Sequence, residues 1–251
     1  MANRLVFEEG KVLKAIVDAV EALVGEASVK ISPEEGMSLS ALDTSKTAMI
    51  QLILPKSYFV DFEVGDEGFY GVNFTELARI LKRVKAKDRV ELIFDESRLV
   101  LRAIGDYKRT FSMPLLAGES FELRELKVQF KAGARMDSKV LPDVVKDLKL
   151  ISNEVKISID PDKVEFTAES DKGESTVELN KEDIMVIDIW AEEPSSSYYS
   201  LAYLEKMTKP AKIAEEASIE LSSQSPMKLT YPLGGVEGAR IVYYLAHISV
   251  A

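Results

Sequence analysis

The stretch PLLAGESFELRELK, Pro114–Lys127, separates two versions of one pattern. Upstream, VLKAIVDAVEALVGEASVKIS (Val12–Ser32) is echoed by VLPDVVKDLKLISNEVKIS (Val140–Ser158), and VELIFDESRLVLR (Val90–Arg102) by IELSSQSPMKLTY (Ile219–Tyr231). Leu13 and Leu141 stand 128 residues apart, Ile31 and Ile157 126, Leu92 and Leu221 129. A period this long is too large for a solenoid and suits two similar domains. The expected boundaries are a first domain over 1–116, a connector over 117–127 and a second domain over 128–251. Leu115, Leu116, Phe121, Leu123 and Leu126 give the stretch more apolar surface than a passive spacer needs.

Composition bounds the function. The 251 residues are 46% hydrophobic and 29% charged, enough for ordinary cores. No apolar run reaches the ~18 residues of a membrane helix, and the N-terminus lacks a signal-peptide layout, so an intracellular protein with no membrane partner is expected. The absence of cysteine removes disulfides and thiolate chemistry, and the single histidine, His247, removes most hydrolytic triads and histidine metal sites. Net charge is −10, yet RILKRVKAKDR, Arg79–Arg89, carries six cations and one anion, so the sign reverses locally.

Periodicity places four helices among many strands. Leu13, Ile16, Val17, Val20 and Val24 form one apolar face, with Gly10 breaking the preceding strand. A cap at Asn73 or Thr75 opens a second helix on Leu77, Ile80, Leu81 and Val84. Asp137 or Ser138 caps a third on Leu141, Val144, Val145 and Leu148, with Pro142 tolerated in its first turn. Leu201–Thr208 is the fourth, closed by Lys209-Pro210. Gly65–Gly71 reads as a glycine-rich turn, Val128–Ala132 as the strand restarting the second half, Glu192–Ser197 as a loop and Trp190 as core. Strands outnumber helices too far for βαβ alternation. The expected class is α+β, with antiparallel sheets and the helices gathered on one face.

GMSLSALDTSKTAMIQLILP (Gly36–Pro55), GVNFTELARILK (Gly71–Lys82) and YYLA (Tyr243–Ala246) together resemble the proliferating cell nuclear antigen family, the DNA sliding clamps of archaea and eukaryotes. The resemblance runs in order over essentially the whole chain. It implies a DNA-clamp fold: a three-subunit ring with helices lining a central hole and sheets outside. It implies a polymerase processivity factor with no active site, cofactor or metal. Its partners would be double-stranded DNA, other clamp subunits, DNA polymerase, flap endonuclease, DNA ligase and the clamp loader. The implied DNA-facing cations are Lys11 and Lys14, then Arg79, Lys82 and Arg83, then Lys139, Lys146 and Lys149, then Lys206 and Lys209. The implied client-peptide pocket comprises Leu42, Thr47, Phe121, Leu123, Pro226, Tyr243, Tyr244, Leu245 and Ala246, with the connector folded over the second domain. The implied subunit contact pairs Arg109, Thr110, Phe111 and Ser112 with Ser175, Thr176, Val177 and Glu178 of the next chain. His247 stands where the family usually has proline.

Other constellations are weaker. Asp160 and Asp162 lie in a turn without a calcium-loop glutamate, and Gly234, Gly235 and Gly238 lack the Lys-Ser/Thr of a phosphate loop. A specialised subunit of a heterotrimeric ring, and a metal-dependent carboxylate enzyme acting on DNA, are the competing readings.

Overall fold

The computed structural model describes residues 2–123 and 126–249. In chain order the first half gives β1 (Asn3–Phe7), α1 (Gly10–Glu21), β2 (Glu26–Ser32), β3 (Gly36–Leu42), β4 (Ala48–Leu54), β5 (Asp61–Glu63), β6 (Gly68–Asn73), α2 (Phe74–Leu81), β7 (Arg89–Phe94), β8 (Arg98–Ile104) and β9 (Lys108–Pro114). The second gives β10 (Ala132–Asp137), α3 (Val140–Leu148), β11 (Glu154–Ile159), β12 (Lys163–Ser170), β13 (Gly173–Asn180), β14 (Val186–Ala191), β15 (Ser195–Ser200), α4 (Leu201–Met207), β16 (Glu216–Leu221), β17 (Met227–Pro232) and β18 (Arg240–Leu245). Two compact units result. One comprises Met1–Thr44, Ile50–Arg124 and Gly234–Ile241, the other Ser45–Met49, Glu125–Leu233 and Val242–Ala251.

The duplication is written into the pairing. In the first unit β1 lies between β5 and β7, and β2 between β3 and β6. In the second, β10 lies between β14 and β16, and β11 between β12 and β15. All these ladders are antiparallel. Leu92 and Leu221, matched by the repeat, are both buried in equivalent hairpins, β7–β8 and β16–β17.

Local chemistry explains the helices. The apolar stripe of α1 is buried at Leu13, Ile16, Val17 and Val20. Gly10 opens this helix rather than merely ending β1, because a Cβ there would stand 2.6 Å from the Lys85 carbonyl. Asn73 caps α2, its Oδ1 accepting from the Glu76 amide at 2.8 Å. In α3 the Asp137 carboxylate accepts from the Lys139 amide at 2.9 Å. Ser138 does not cap; its hydroxyl is buried and donates to the Ala214 carbonyl at 2.6 Å.

Four expectations are corrected. The second half restarts in β10 at Ala132, with Val128–Lys131 outside the strand. Gly65–Gly71 is not simply a turn, since β6 begins at Gly68, and Glu192–Ser197 is not all loop, since β15 begins at Ser195. The two overlooked strands are equivalents, each running straight into a helix. Trp190 is not core: it is 37% exposed and lies over Gly133, where an added Cβ would meet Nε1 at 2.7 Å and Cε2 at 2.8 Å. Among the described residues no helix is long and apolar enough to cross a membrane.

Candidate nucleic-acid interface and docking surfaces

Each unit packs its helices in a pair, α1 on α2 and α3 on α4, so the outward faces of a pair lie together. The ten expected cations occupy these helices and their immediate ends, but their electrostatic situations differ. Lys11 pairs with Glu9 at 2.7 Å, Arg79 with Glu76 at 2.5 Å, Lys146 with Asp143 at 2.9 Å and Lys149 with Glu205 at 2.5 Å. The Arg79 hydrogen bond holds the Glu76 carboxyl below its ordinary range, and Lys149 does the same to Glu205. Among the described residues Lys14, Lys82, Arg83, Lys139, Lys206 and Lys209 have no carboxylate at ion-pair distance. Lys206 instead sits over the Tyr203 ring at 5.3 Å. Lys82, Arg83 and Lys209 follow the last turns of α2 and α4, where the helix dipole favours positive charge. Exposed pairs of this kind hold their partners weakly, so a phosphate can compete for the paired cations as well.

The expected docking residues separate by burial. In the first unit Leu42 at the end of β3 is 55% exposed and Leu123 41%. Phe121 is half-buried, its ring edge-on to Phe69 with centroids 5.8 Å apart. The start of the connector lies on this same unit. Leu116 donates its amide to the Gly71 carbonyl at 2.8 Å, and the Glu119 amide donates to the Ser28 hydroxyl at 2.8 Å. Gly71 is required here, since a Cβ would stand 2.6 Å from the Ala117 carbonyl. These contacts tie the connector as far as Phe121 to β2 and β6, where a connector folded over the second domain was expected. In the second unit Thr47, Pro226 and Ala246 are half-buried. Tyr243 and Leu245 are fully buried in β18, and Tyr244 is 3% exposed. His247 borders an open groove of about 350 Å³ with Lys156, Tyr198 and Gln224.

The expected subunit contact falls on two edge strands. β9 pairs only with β8 in its sheet and β13 only with β12, so each leaves one row of backbone groups open. Thr110, Ser112, Thr176 and Glu178 are exposed, and Phe111, Ser175 and Val177 half-buried. Arg109 is turned inward instead. Its guanidinium donates to the Asp88 carboxylate and the Arg83 carbonyl, and Tyr107 covers it at 5.2 Å. Arg98, opposite Pro114 at the end of β9, escaped the sequence reading; a charge count for β8 and β9 exposes it.

Among the described residues no group of three or more His, Cys, Asp or Glu is placed to hold a metal ion. The geometry is that of a binding scaffold: a duplicated α+β chain with one cation-bearing helix pair per half and two open edges. Models of the proliferating cell nuclear antigen N-terminal and C-terminal domains match residues 3–110 and 126–248. DNA polymerase sliding clamp 1 of Pyrobaculum aerophilum is 35% identical over 96% of both chains, and the DNA polymerase sliding clamp of Pyrococcus furiosus 33% over 98% of both. A chain of the PCNA2–PCNA3 complex from Sulfolobus tokodaii shares the fold, with a TM-score of 0.90 at 24% identity over 97% of this chain and 98% of that one. The chain belongs to the proliferating cell nuclear antigen family of sliding clamps, in its archaeal type.

Proposed function

We propose that this chain is one subunit of a ring that encircles duplex DNA and tethers a DNA polymerase, with flap endonuclease, DNA ligase and clamp loader as further partners. The observation that carries the reading is internal to the second unit. The Ala246 amide, just after β18, donates to the Thr47 carbonyl, just before β4, at 2.9 Å. By the repeat β18 corresponds to β9 and β4 to β13, so the end of a β9 has a ready-made template for meeting the start of a β13. In one chain those two edges stay open, and a neighbouring chain supplies the missing side of each.

The helix cations supply the DNA contact. Lysines and arginines reading phosphate alone bind without sequence preference, weakly and with strong salt dependence, which suits a protein that must slide. The net charge of −10 keeps DNA from adhering elsewhere on the surface. Leu42, Leu123 and the flank of Phe121 offer the apolar groups on which an aromatic-anchored client peptide docks. Replacing Lys82 and Arg83 together by alanine tests the lining. The log–log salt slope of DNA binding should flatten by ~0.9 per lost phosphate contact while assembly persists. An unchanged slope would show that these residues do not face the duplex.

A further inference from the structure

In the second unit, the sheet β13–β12–β11–β15 has an outward face that neither the helix cations nor the apolar docking residues use. Alternation sends Val155, Ile157 and Tyr199 into the core and leaves Lys156 and Tyr198 outside, directly opposite each other across β11 and β15. β15 is an edge of this sheet, and the segment after β18 runs up to it, the Ile248 amide donating to the Tyr198 carbonyl at 2.8 Å. The groove of about 350 Å³ bordered by His247 lies where these parts meet. Lys156, Gln224 and His247 line it, and among the described residues no carboxylate does. None of these three side chains has a hydrogen-bond or ion-pair partner among the described residues. Gln224 is held at φ 53°, in the left-handed region where glycine sits without strain, so the turn between β16 and β17 keeps an amide side chain there at a conformational cost.

A second groove, of about 450 Å³, shares Lys156 and Tyr198 with the first and extends to β13. Its sign is opposite. Glu154, Glu165, Glu169 and Glu174 line it, and Glu169 faces Glu174 across β12 and β13. Glu165 pairs with Lys163 at 3.1 Å, while among the described residues the other three have no cation at ion-pair distance. Lys156 lies opposite Thr167, two positions before Glu169 on the same face of β12. The unpaired cation and the unpaired acids are therefore separated by roughly 10 Å, the reach of about three extended residues.

We propose that this face binds an extended peptide of a partner protein carrying an acidic side chain and, about three residues along, a basic one. The acidic group takes its place between Lys156 and His247, with the Gln224 amide as a further donor. The basic group meets Glu169 and Glu174, and the Tyr198 ring lies between the two. A nucleic acid fits less well, because a run of phosphates satisfying Lys156 would continue against Glu169 and Glu174. Proline, usual in the family where this chain has His247, offers no side-chain donor, so the preference is this chain's own. The proposal rests on the reading of the chain as a scaffold for partner proteins, but uses none of Leu42, Phe121 or Leu123.

Calorimetry on the full chain tests it, with the imidazole resonances of His247, the only histidine, reporting whether binding falls in the groove. The probes are end-blocked peptides of serine around one tyrosine, bearing a glutamate and a lysine, two glutamates, two lysines or no charge; oligothymidylate and acetate complete the set. The mixed peptide should shift His247 saturably and bind at least about fivefold more tightly than any other probe. Lys156→Glu should weaken it roughly tenfold, His247→Ala should weaken it less, and Glu169→Lys with Glu174→Lys should turn the preference to the two-glutamate peptide. Equal affinity for the four peptides, or unchanged affinity in Lys156→Glu, overturns the proposal. Tighter binding of oligothymidylate overturns the choice of occupant, and an equal response to acetate reduces the groove to a free-anion site and overturns it too. The four peptides on the unmodified chain decide the point should a variant fold poorly. A peptide with aromatic anchors, measured alongside, separates the two readings: if it binds while the mixed peptide fails, only this proposal falls, and if neither binds, the scaffold reading falls with it.

Discussion

The hairpins β7–β8 and β16–β17 hold the same place in the two halves and each carries a cross-strand ion pair, at a different position along the strands: Glu91 with Arg102 at 3.4 Å and Glu220 with Lys228 at 3.3 Å. What flanks that pair is different. In the first half Arg4 reaches from β1 to Glu91 at 2.9 Å and to Asp61 at 2.6 Å, tying three strands by charge. In the second half β10 offers Gly133 beside Glu220, and the Trp190 indole covers it. The ladder and the inward side chains repeat, while the outward side chains do not. Burial therefore sets the common fold, and each half is left to answer salt and pH through its own surface.

The largest expected effect is one the halves should share. Leu92→Ala and Leu221→Ala each remove a buried leucine from the equivalent hairpins β7–β8 and β16–β17 and should cost ~3 kcal/mol apiece, read by denaturation with hydrogen exchange resolved to each half. A cost several-fold smaller in one half would break the equivalence. Next comes the ionic surface. Arg4→Met leaves Asp61 and Glu63 without their arginine and Glu91 with Arg102 alone, and should cost more than the ~0.5 kcal/mol of an exposed pair and less than the ~3 kcal/mol of a buried one. The Arg4 hydrogen bonds hold Glu91 and Asp61 below the ordinary values of 4.5 and 3.8. Their stabilisation is complete above those values and is lost as pH falls through the lower folded ones, so the gap between wild type and Arg4→Met should close in acid. A gap of equal size at pH 7 and pH 3 would remove the ionic account.

Gly133→Ala probes the aromatic counterpart. The added methyl displaces the indole at a cost of ~1 kcal/mol, independent of pH, and the emission of this single tryptophan should shift to the red. An unshifted spectrum would mean that the ring does not lie on Gly133. Smallest is Tyr231→Phe. Burial pushes the Tyr231 hydroxyl well above its ordinary pKa, and the oxygen has no hydrogen-bond partner among the described residues, so its removal should change stability by no more than ~0.5 kcal/mol.

How far these features were legible in the sequence follows from how local their causes are. The helix faces, the Asn73 cap and the tolerance of Pro142 rest on neighbours within a turn or two. The Glu76–Arg79 and Asp143–Lys146 pairs, three residues apart, were equally readable and went unread, whereas Lys149–Glu205 joins two helices and leaves no spacing signal. β6 and β15 were overlooked because GFYGVN and SSSYYS lack the alternation of branched residues that marks a strand. Gly71 is there for the connector, which only the folded chain brings against it. The burial of Tyr243–Leu245 had a sign in the unbroken apolar run IVYYL, which marks a strand covered on both faces. Trp190 had none, since its seat on Gly133 lies 57 residues away.

The claim that the helix cations line a closed ring around duplex DNA is tested most directly by retention on a nicked DNA circle. The protein is loaded with a cognate clamp loader and washed at a salt concentration that abolishes contact with free DNA. The protein should stay on the circle through the wash and run off within the same interval once the circle is cut. Loss from the intact circle, or equal retention on the cut molecule, would contradict it.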